Sequence, residues 1–513
     1  MRKKKAVINI FGSVSLQLVT VICGFIVPRL IIGAYGSDVN GIINSATNFL
    51  NYITLLDAGV GGVVRAALYK PLAEENYIKV SGVLRSAEIF FRRICAVFVL
   101  YAVVLSCFFP YLIDEKFKWS FTASLVIIIA LSTVSQYYFG VTYQVLLQAD
   151  QKRYISSFAQ LFTLVLNCIL VVICIKFGTS VHIMKLVSSL VFFFRPIAIN
   201  IYVHKKYPLI KKAEPDKDAL KQRWDGLGHH LAFFIHENTD VFLLTVFSKI
   251  SDSFSIAEVS VYSVYYSITY GIGKLSNMLH QAVEAAFGNM IAKNERKIFE
   301  YNFKIYEQAS FMLTTFLFTC LGILIVPFMS VYMKGVSDAN YIRPAFAYVL
   351  IAAEAMYAIR MPYNNVTLAA GHYRQTRNGA FVEAAINIVA SLIFIIKLGI
   401  TGVALGTFLA MTFRTVQYAS YLYKNILYQK NMLPFLIKFF INSAAAAGGI
   451  ACSAFIPSNG VTTYLSWFVF AAEVAVICFA WVFGINFLFY KKEVKALLLT
   501  CKKTFMGFAK RKA

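Results

Sequence analysis

Lys274 stands near the middle of a long apolar run, just after Gly271-Ile272-Gly273. A cation at mid-bilayer costs about 2.5–3.5 kcal/mol on insertion scales, so something anionic must compensate it. Arg360, beside Pro362, is in the same position, and Glu354 lies on the same run as one candidate partner. Arg29, after Pro28, and Arg65 sit closer to the ends of their runs, where snorkelling also accounts for a charge. Arg29, Arg65, Lys274 and Arg360 together make a candidate cationic site for an anionic cargo, because guanidinium and ammonium groups meet phosphate through charge-assisted hydrogen bonds. Asp57, Glu237, Asp240 and Glu354 are the matching candidates for balancing those charges or for binding a coupling cation, H⁺ or Na⁺. The densest polar stretch within a run is His236-Glu237-Asn238-Thr239-Asp240, which one helical turn cannot turn wholly toward lipid. Glu284, Glu383, Glu473, Arg195 and Arg414 also fall within apolar runs, with Arg195 and Arg414 each following a Phe.

No catalytic signature accompanies these charges. The sequence holds no G-x-x-x-x-G-K-[ST], H-E-x-x-H, G-x-S-x-G or C-x-x-C. Eight of the nine Cys lie inside apolar runs and read as small buried residues, with no metal or redox role. The chain is therefore expected to be a transporter with no cofactor and no enzymatic activity.

The elements that must carry these residues follow from composition. Of 513 residues, 59% are hydrophobic and 14% charged, and the mean hydropathy is +0.65. Soluble domains hold about 25% charged residues, so a soluble enzyme and a disordered chain are both excluded. The apolar runs are too long for strands and lack period-2 alternation, which leaves helices. Fourteen spans are expected, at 7–33, 39–68, 87–112, 120–148, 154–176, 181–204, 227–248, 257–290, 304–333, 343–371, 377–397, 402–423, 434–456 and 463–490. The net charge of +24 would suggest nucleic acid in a soluble protein; here the basic residues sit between spans and report topology, with no nucleic-acid partner. One set of loops carries 34 Lys and Arg, while the other holds only Lys116, Lys118, Lys176, Lys249, Lys334, Arg343 and Lys397. That asymmetry places both termini in the cytoplasm, in a multi-pass cell-membrane protein whose basic N-terminus enters an uncleaved first span.

The two halves repeat at an offset of about 220 residues. Ala67–Asn76 matches Ala286–Glu295, Ala149–Arg153 matches Ala370–Arg374, and Phe194-Arg195 matches Phe413-Arg414. The repeat unit is six helices, an even number, so the copies are parallel and imply a cavity between two bundles that rock between inward-open and outward-open states. The expected organisation is a six-helix bundle at 1–204, a cytoplasmic linker at 205–226, a second six-helix bundle at 227–424, an added pair of spans at 434–490 and a basic amphipathic tail at 491–513. In the tail, Val494, Leu497, Leu498, Cys501, Phe505 and Phe508 recur at helical spacing among lysines, a pattern that lies on the inner leaflet.

The basic N-terminus, Pro28, the segment Leu55-Leu56-Asp57-Ala58-Gly59-Val60-Gly61, the basic loop at Ala67–Arg85 and the layout of two six-helix repeats plus two spans resemble the multidrug/oligosaccharidyl-lipid/polysaccharide exporter superfamily. Within it the chain looks like Wzx-type flippases of polysaccharide repeat units. The resemblance implies a flippase that moves a lipid-linked oligosaccharide, a polyprenyl diphosphate repeat unit, from the inner to the outer leaflet by alternating access. Its implied partners are that substrate, the membrane lipids, and a polysaccharide polymerase and glycosyltransferases. Related lipid II flippases carry cations in spans 1, 2 and 8 that meet the pyrophosphate; Arg29, Arg65 and Lys274 occupy those spans here. In those relatives the last two spans form a groove for the polyprenyl tail, a role the resemblance extends to 434–490. Two alternatives remain open: a cation-coupled drug or metabolite antiporter of the same fold, and a lipid II-type flippase.

Overall fold

The computed structural model describes the backbone of residues 2–509, apart from 58, 114–115, 211–212, 217, 219, 221–226, 252–253 and 458–459. The side chains of 2–7, 10, 227–233, 235–237, 281–282, 284–285, 292 and 501–509 also lie outside the described residues. In chain order the helices are α1 (Arg2–Tyr35), α2 (Ser37–Asn51), α3 (Thr54–Asp57), α4 (Val60–Ala73), α5 (Tyr77–Phe108), α6 (Trp119–Ser135), α7 (Val141–Ala149), α8 (Arg153–Lys176), α9 (Val181–Lys206), α10 (Leu227–Ile250), α11 (Ala257–Ala292), α12 (Arg296–Tyr332), α13 (Pro344–Ala369), α14 (Tyr373–Leu398), α15 (Ile400–Asn425), α16 (Leu433–Ser453), α17 (Tyr464–Phe489) and α18 (Lys491–Ala509). No strand occurs among the described residues.

Each of the fourteen expected spans coincides with one helix or one interrupted helix, and the fold is an all-helical, multi-pass membrane fold. Among the described residues, ten of these helices are long and apolar enough to cross a membrane. The remaining four expected spans fall on α2–α4, α10, α11 and α15, which carry most of the polar residues singled out above. Two spans are broken. The second divides into α2, α3 and α4, and Gly59 opens α4 at φ 82, a backbone conformation that only Gly adopts without cost. The fourth is interrupted by a π-turn at Gln136–Gly140, where the ladder admits one extra residue and re-aims the side chains on it.

The chain forms two compact units, Met1–Val264 and Tyr265–Ala513. In the first unit α1 packs on α8, α6 on α9, and α4 on α7. The division falls inside α11, so α10 and the first turns of α11 sit with the first unit, although the repeat counts them with the second half. Polar pairing accounts for this. On one face of α2, Asn40 donates to Ser260 Oγ at 2.7 Å, Ser45 and Thr245 share a hydrogen bond at 2.7 Å, and Asn48 donates to Asn238 Oδ1 at 3.1 Å. Gly41 lets the α2 backbone approach; a Cβ there would collide with the Ile256 carbonyl.

The segment after α9 is strapped to the first unit. Tyr207 donates to Asp150 Oδ2 at 2.5 Å, Ile210 N–H donates to Ser81 Oγ at 3.0 Å, and Ser86 Oγ donates to the Asp216 carbonyl at 2.7 Å. Burial, reinforced by the Asp150 carboxylate, pushes the Tyr207 phenol well above its ordinary range.

In the second unit α14 and α13 pack on α15, while α16 and α17 pack on each other and on α12. A buried amide network fixes that added pair of helices: Gln308 donates to Asn486 Oδ1 at 2.5 Å, and Asn486 donates to Asn442 Oδ1 at 3.0 Å. Amide pairs of this kind are specific because an unpaired amide in a membrane-embedded interface is costly.

Candidate functional site

In the first unit, the guanidinium of Arg29 on half-buried α1 lies back along its own helix, 2.9 Å from where a Cβ on Gly33 would stand. Arg65 on α4 is also half-buried and donates to Gln148 Oε1 on α7 at 3.1 Å, a neutral partner. Asp57, at the end of α3, accepts from the Tyr137 hydroxyl at 2.9 Å. Both groups of that contact sit at helix irregularities, the break before Gly59 and the π-turn. The π-turn also sends Gln136 toward Arg195 on α9, whose Nη2 donates to Gln136 Oε1 at 3.3 Å. The Arg195 Nε is buried without an acceptor. Asp240 on α10 is 3% exposed and accepts from Tyr262 at 2.7 Å, while Asn238 is spent on Asn48. The polar stretch on α10 is therefore packed into helix contacts at Asn238 and Asp240; the side chains of His236 and Glu237 lie outside the described residues.

In the second unit, Lys274 on α11 is half-buried, with its ammonium 4.4 Å from the centre of the Tyr270 ring. No carboxylate reaches it among the described residues. Gly273, next to it, keeps the helix surface low: a Cβ there would stand 3.9 Å from Glu354 Oε2 on α13. Glu354 is buried and engaged.

Arg360 differs from Lys274. It is 8% exposed and pairs at 2.6 Å with Glu383 Oε1 on α14, and the acid expected for it on the same run, Glu354, is replaced by one on the next helix. The other oxygen of Glu383 meets Arg414 Nε at 3.2 Å. Arg414 is held further by the Thr376 carbonyl at 3.1 Å and the Tyr418 hydroxyl at 3.0 Å. The result is a buried Arg–Glu–Arg triad joining α13, α14 and α15. The triad links three helices of the second unit and does not include Lys274. Arg414 is the repeat counterpart of Arg195, so the same position is satisfied by an acid in one unit and by a glutamine in the other.

A second buried ion cluster escaped the sequence reading. Glu307 on α12, 2% exposed, accepts from Lys438 on α16 at 2.6 Å, from Tyr363 on α13 at 2.5 Å and from Tyr423 on α15 at 2.9 Å. One carboxylate thus ties four helices. Glu307 and Lys438 lie only a few residues inside their runs, where a charge reads as an end-of-span residue, and nothing in the spacing links α12 to α16.

Charge balance across the described spans is uneven. Asp57, Asp240, Glu307, Glu354 and Glu383 are all engaged. Arg65, Arg195 and Lys274 meet only neutral or aromatic groups. Beside these charges, the second unit holds an apolar cleft of about 470 Å³ between α12, α13 and α16, lined by Phe311, Phe318, Ile351 and Phe439, with Thr315 and Asn442 supplying its polar edge.

Comparison with solved structures places this architecture. The chain superposes on a structure described as "Lipid II flippase MurJ, inward closed conformation" with a TM-score of 0.70 and 15% identity, covering 94% of this chain and 100% of that one. An inward-facing multidrug resistance MATE family transporter of the MOP superfamily aligns with a TM-score of 0.62 and 12% identity, over 86% of this chain and 98% of that one. The MATE multidrug transporter DinF-BH aligns with a TM-score of 0.59 and 13% identity, over 84% of this chain and 96% of that one. The fold is thus the one seen in these MurJ and MATE structures, and at these identities the likeness is one of fold. No family model matches the sequence, and the search among curated proteins gives no relative.

Proposed function

We propose that the protein is a flippase for a lipid-linked oligosaccharide with a polyprenyl diphosphate anchor, moving it from the inner to the outer leaflet by alternating access for cell-surface polysaccharide assembly. The observation that carries this reading is the uneven charge balance: Asp57, Asp240, Glu307, Glu354 and Glu383 are engaged, Glu473 lies exposed on α17, and Lys274 and Arg65 are half-buried cations with no acid among the described residues. Leftover cations in low dielectric favour an anionic cargo and oppose a cationic one. Lys274, Arg65 and Arg29 are the residues assigned to the diphosphate. The apolar cleft against α16 suits a prenyl tail. Both termini are cytoplasmic in this reading, and a polymerase and glycosyltransferases act on either side of the translocation step.

The test is transport by the purified full chain in proteoliposomes. A fluorescent polyprenyl diphosphate oligosaccharide should move between leaflets at a protein-dependent rate, and a cationic dye should not accumulate against an imposed H⁺ or Na⁺ gradient. Dye accumulation without lipid translocation would establish the antiporter reading in its place. Lipid II translocation to the exclusion of other lipid-linked oligosaccharides would assign the lipid II-type alternative.

A further inference from the structure

α17 ends at Phe489 and α18 begins at Lys491, with only Tyr490 between them. A helix of 26 residues is about 39 Å long and spans a bilayer, so α18 starts at the membrane surface. It does not leave that surface freely, because Val494 is fully buried and α18 packs against α12 and α17. The remaining side chains divide by chemistry. Lys491, Lys492 and Lys495 are exposed, and Leu498 and Leu499 are 48% and 57% exposed. On α12, Lys297 and Lys304 are exposed, and Lys304 is one turn before Glu307. Beyond the described side chains the sequence continues with Lys502, Lys503, Lys510, Arg511 and Lys512. Exposed leucines beside lysines, on a helix rooted where a spanning helix ends, match an anionic leaflet in both apolar depth and charge.

The root of α18 also touches the buried ion cluster. The Lys438 ammonium is 5.2 Å from the centre of the Tyr490 ring and 2.6 Å from Glu307 Oε2. Lys491 in turn stands over the Phe487 ring at 5.9 Å. Holding α18 on the surface therefore holds the Tyr490 ring against Lys438, and through Glu307 it steadies α13 and α15.

We propose that Lys491, Lys492, Lys495, Leu498 and Leu499 form a docking face for anionic phospholipid of the adjacent leaflet, and that lipid bound there stabilises the second unit through Tyr490 and the Lys438–Glu307 pair. The face is independent of the cargo. The experiment uses the detergent-solubilised full chain, titrated with phosphatidylglycerol or with phosphatidylcholine, reading the midpoint of thermal unfolding and the lipid retained. Phosphatidylglycerol should raise the midpoint and phosphatidylcholine should not, and high salt should remove the effect in the unaltered protein. K491Q/K492Q/K495Q should need on the order of a hundredfold more phosphatidylglycerol, since each surface lysine contributes several-fold. Y490L should retain the lipid but lose the rise in midpoint. Equal responses to the two lipids, or an unchanged titration in the triple variant, would overturn the docking face. A full response to water-soluble glycerol phosphate would replace it with a free-anion site. Lipid retention with an unaltered midpoint rise in Y490L would overturn the link to the ion cluster.

Discussion

Glu383→Gln is the sharpest test of how the intramembrane charges divide between structure and cargo. The carboxylate of Glu383 is 7% exposed and is shared by Arg360 at 2.6 Å and Arg414 at 3.2 Å. Removing its charge leaves two buried guanidinium groups with no carboxylate between them. Breaking a buried pair by removing one partner costs about 3–5 kcal/mol, largely from the charge left behind. Here one substitution strands two cations, so the loss belongs at the upper end of that range. Arg360→Leu should cost less, because the Arg414–Glu383 pair survives it and Arg414 keeps the Thr376 carbonyl and the Tyr418 hydroxyl. Against a total stability of about 5–15 kcal/mol, a loss of about 5 kcal/mol in E383Q should lower the folded amount sharply, and R360L should retain more of it. Membrane abundance and monodispersity on size exclusion, followed by the unfolding midpoint, read this ranking. Normal abundance of E383Q, or a worse outcome for R360L than for E383Q, would refute the structural reading of the triad and return Arg360 to the cargo site.

Lys438→Met should cost about 3–5 kcal/mol by leaving the Glu307 carboxylate buried with only two phenols, and K438M/E307Q should recover part of that loss in unfolding measurements. Gly41→Val should pry α2 from the Ile256 carbonyl, cost about 1–3 kcal/mol in overpacking strain and lower the unfolding midpoint. Gly59→Ala should lose about 1–2 kcal/mol, because its φ of 82 is a conformation a Cβ resists.

The helix count was legible because apolar length is a local property: each run from 7–33 to 463–490 becomes a helix or a broken helix in place. The breaks were less legible. Gly59 stood in a glycine-rich segment that drew attention, but the π-turn at Gln136–Gly140 carries no glycine or proline until its last residue, and only packing against Pro196 and Arg195 reveals it. Partnerships were the least legible. Arg360 and Glu354 share a helix, so proximity in sequence suggested a pair, whereas α13 turns Arg360 toward Glu383 on the next helix. Glu307 and Lys438 are separated by more than a hundred residues and meet only because α16 packs on α12. Asp240 looked available because polar residues clustered around it, yet Tyr262 and the α2 face absorb that stretch. At Lys274 the sequence showed the surroundings but not the partners: Gly271 and Gly273 flatten the helix beside it, and the structure brings no carboxylate to it among the described residues.

The most direct measurement of the central claim is translocation of a polyprenyl diphosphate oligosaccharide by Lys274→Gln and Lys274→Arg proteoliposomes, with the unfolding midpoint measured on the same preparations. Lys274 is half-buried and rests on Tyr270 with no acid to strand among the described residues, so both variants should stay within about 1 kcal/mol of the unaltered protein's stability and keep its midpoint. A diphosphate read by charge should then leave K274R with most of its translocation and K274Q with little, a loss of about 1.5–3 kcal/mol for a charge-assisted hydrogen bond. Full translocation by K274Q at an unchanged midpoint would contradict the cationic site, and a collapse of both variants' midpoints would show that Lys274 holds the fold and not the cargo.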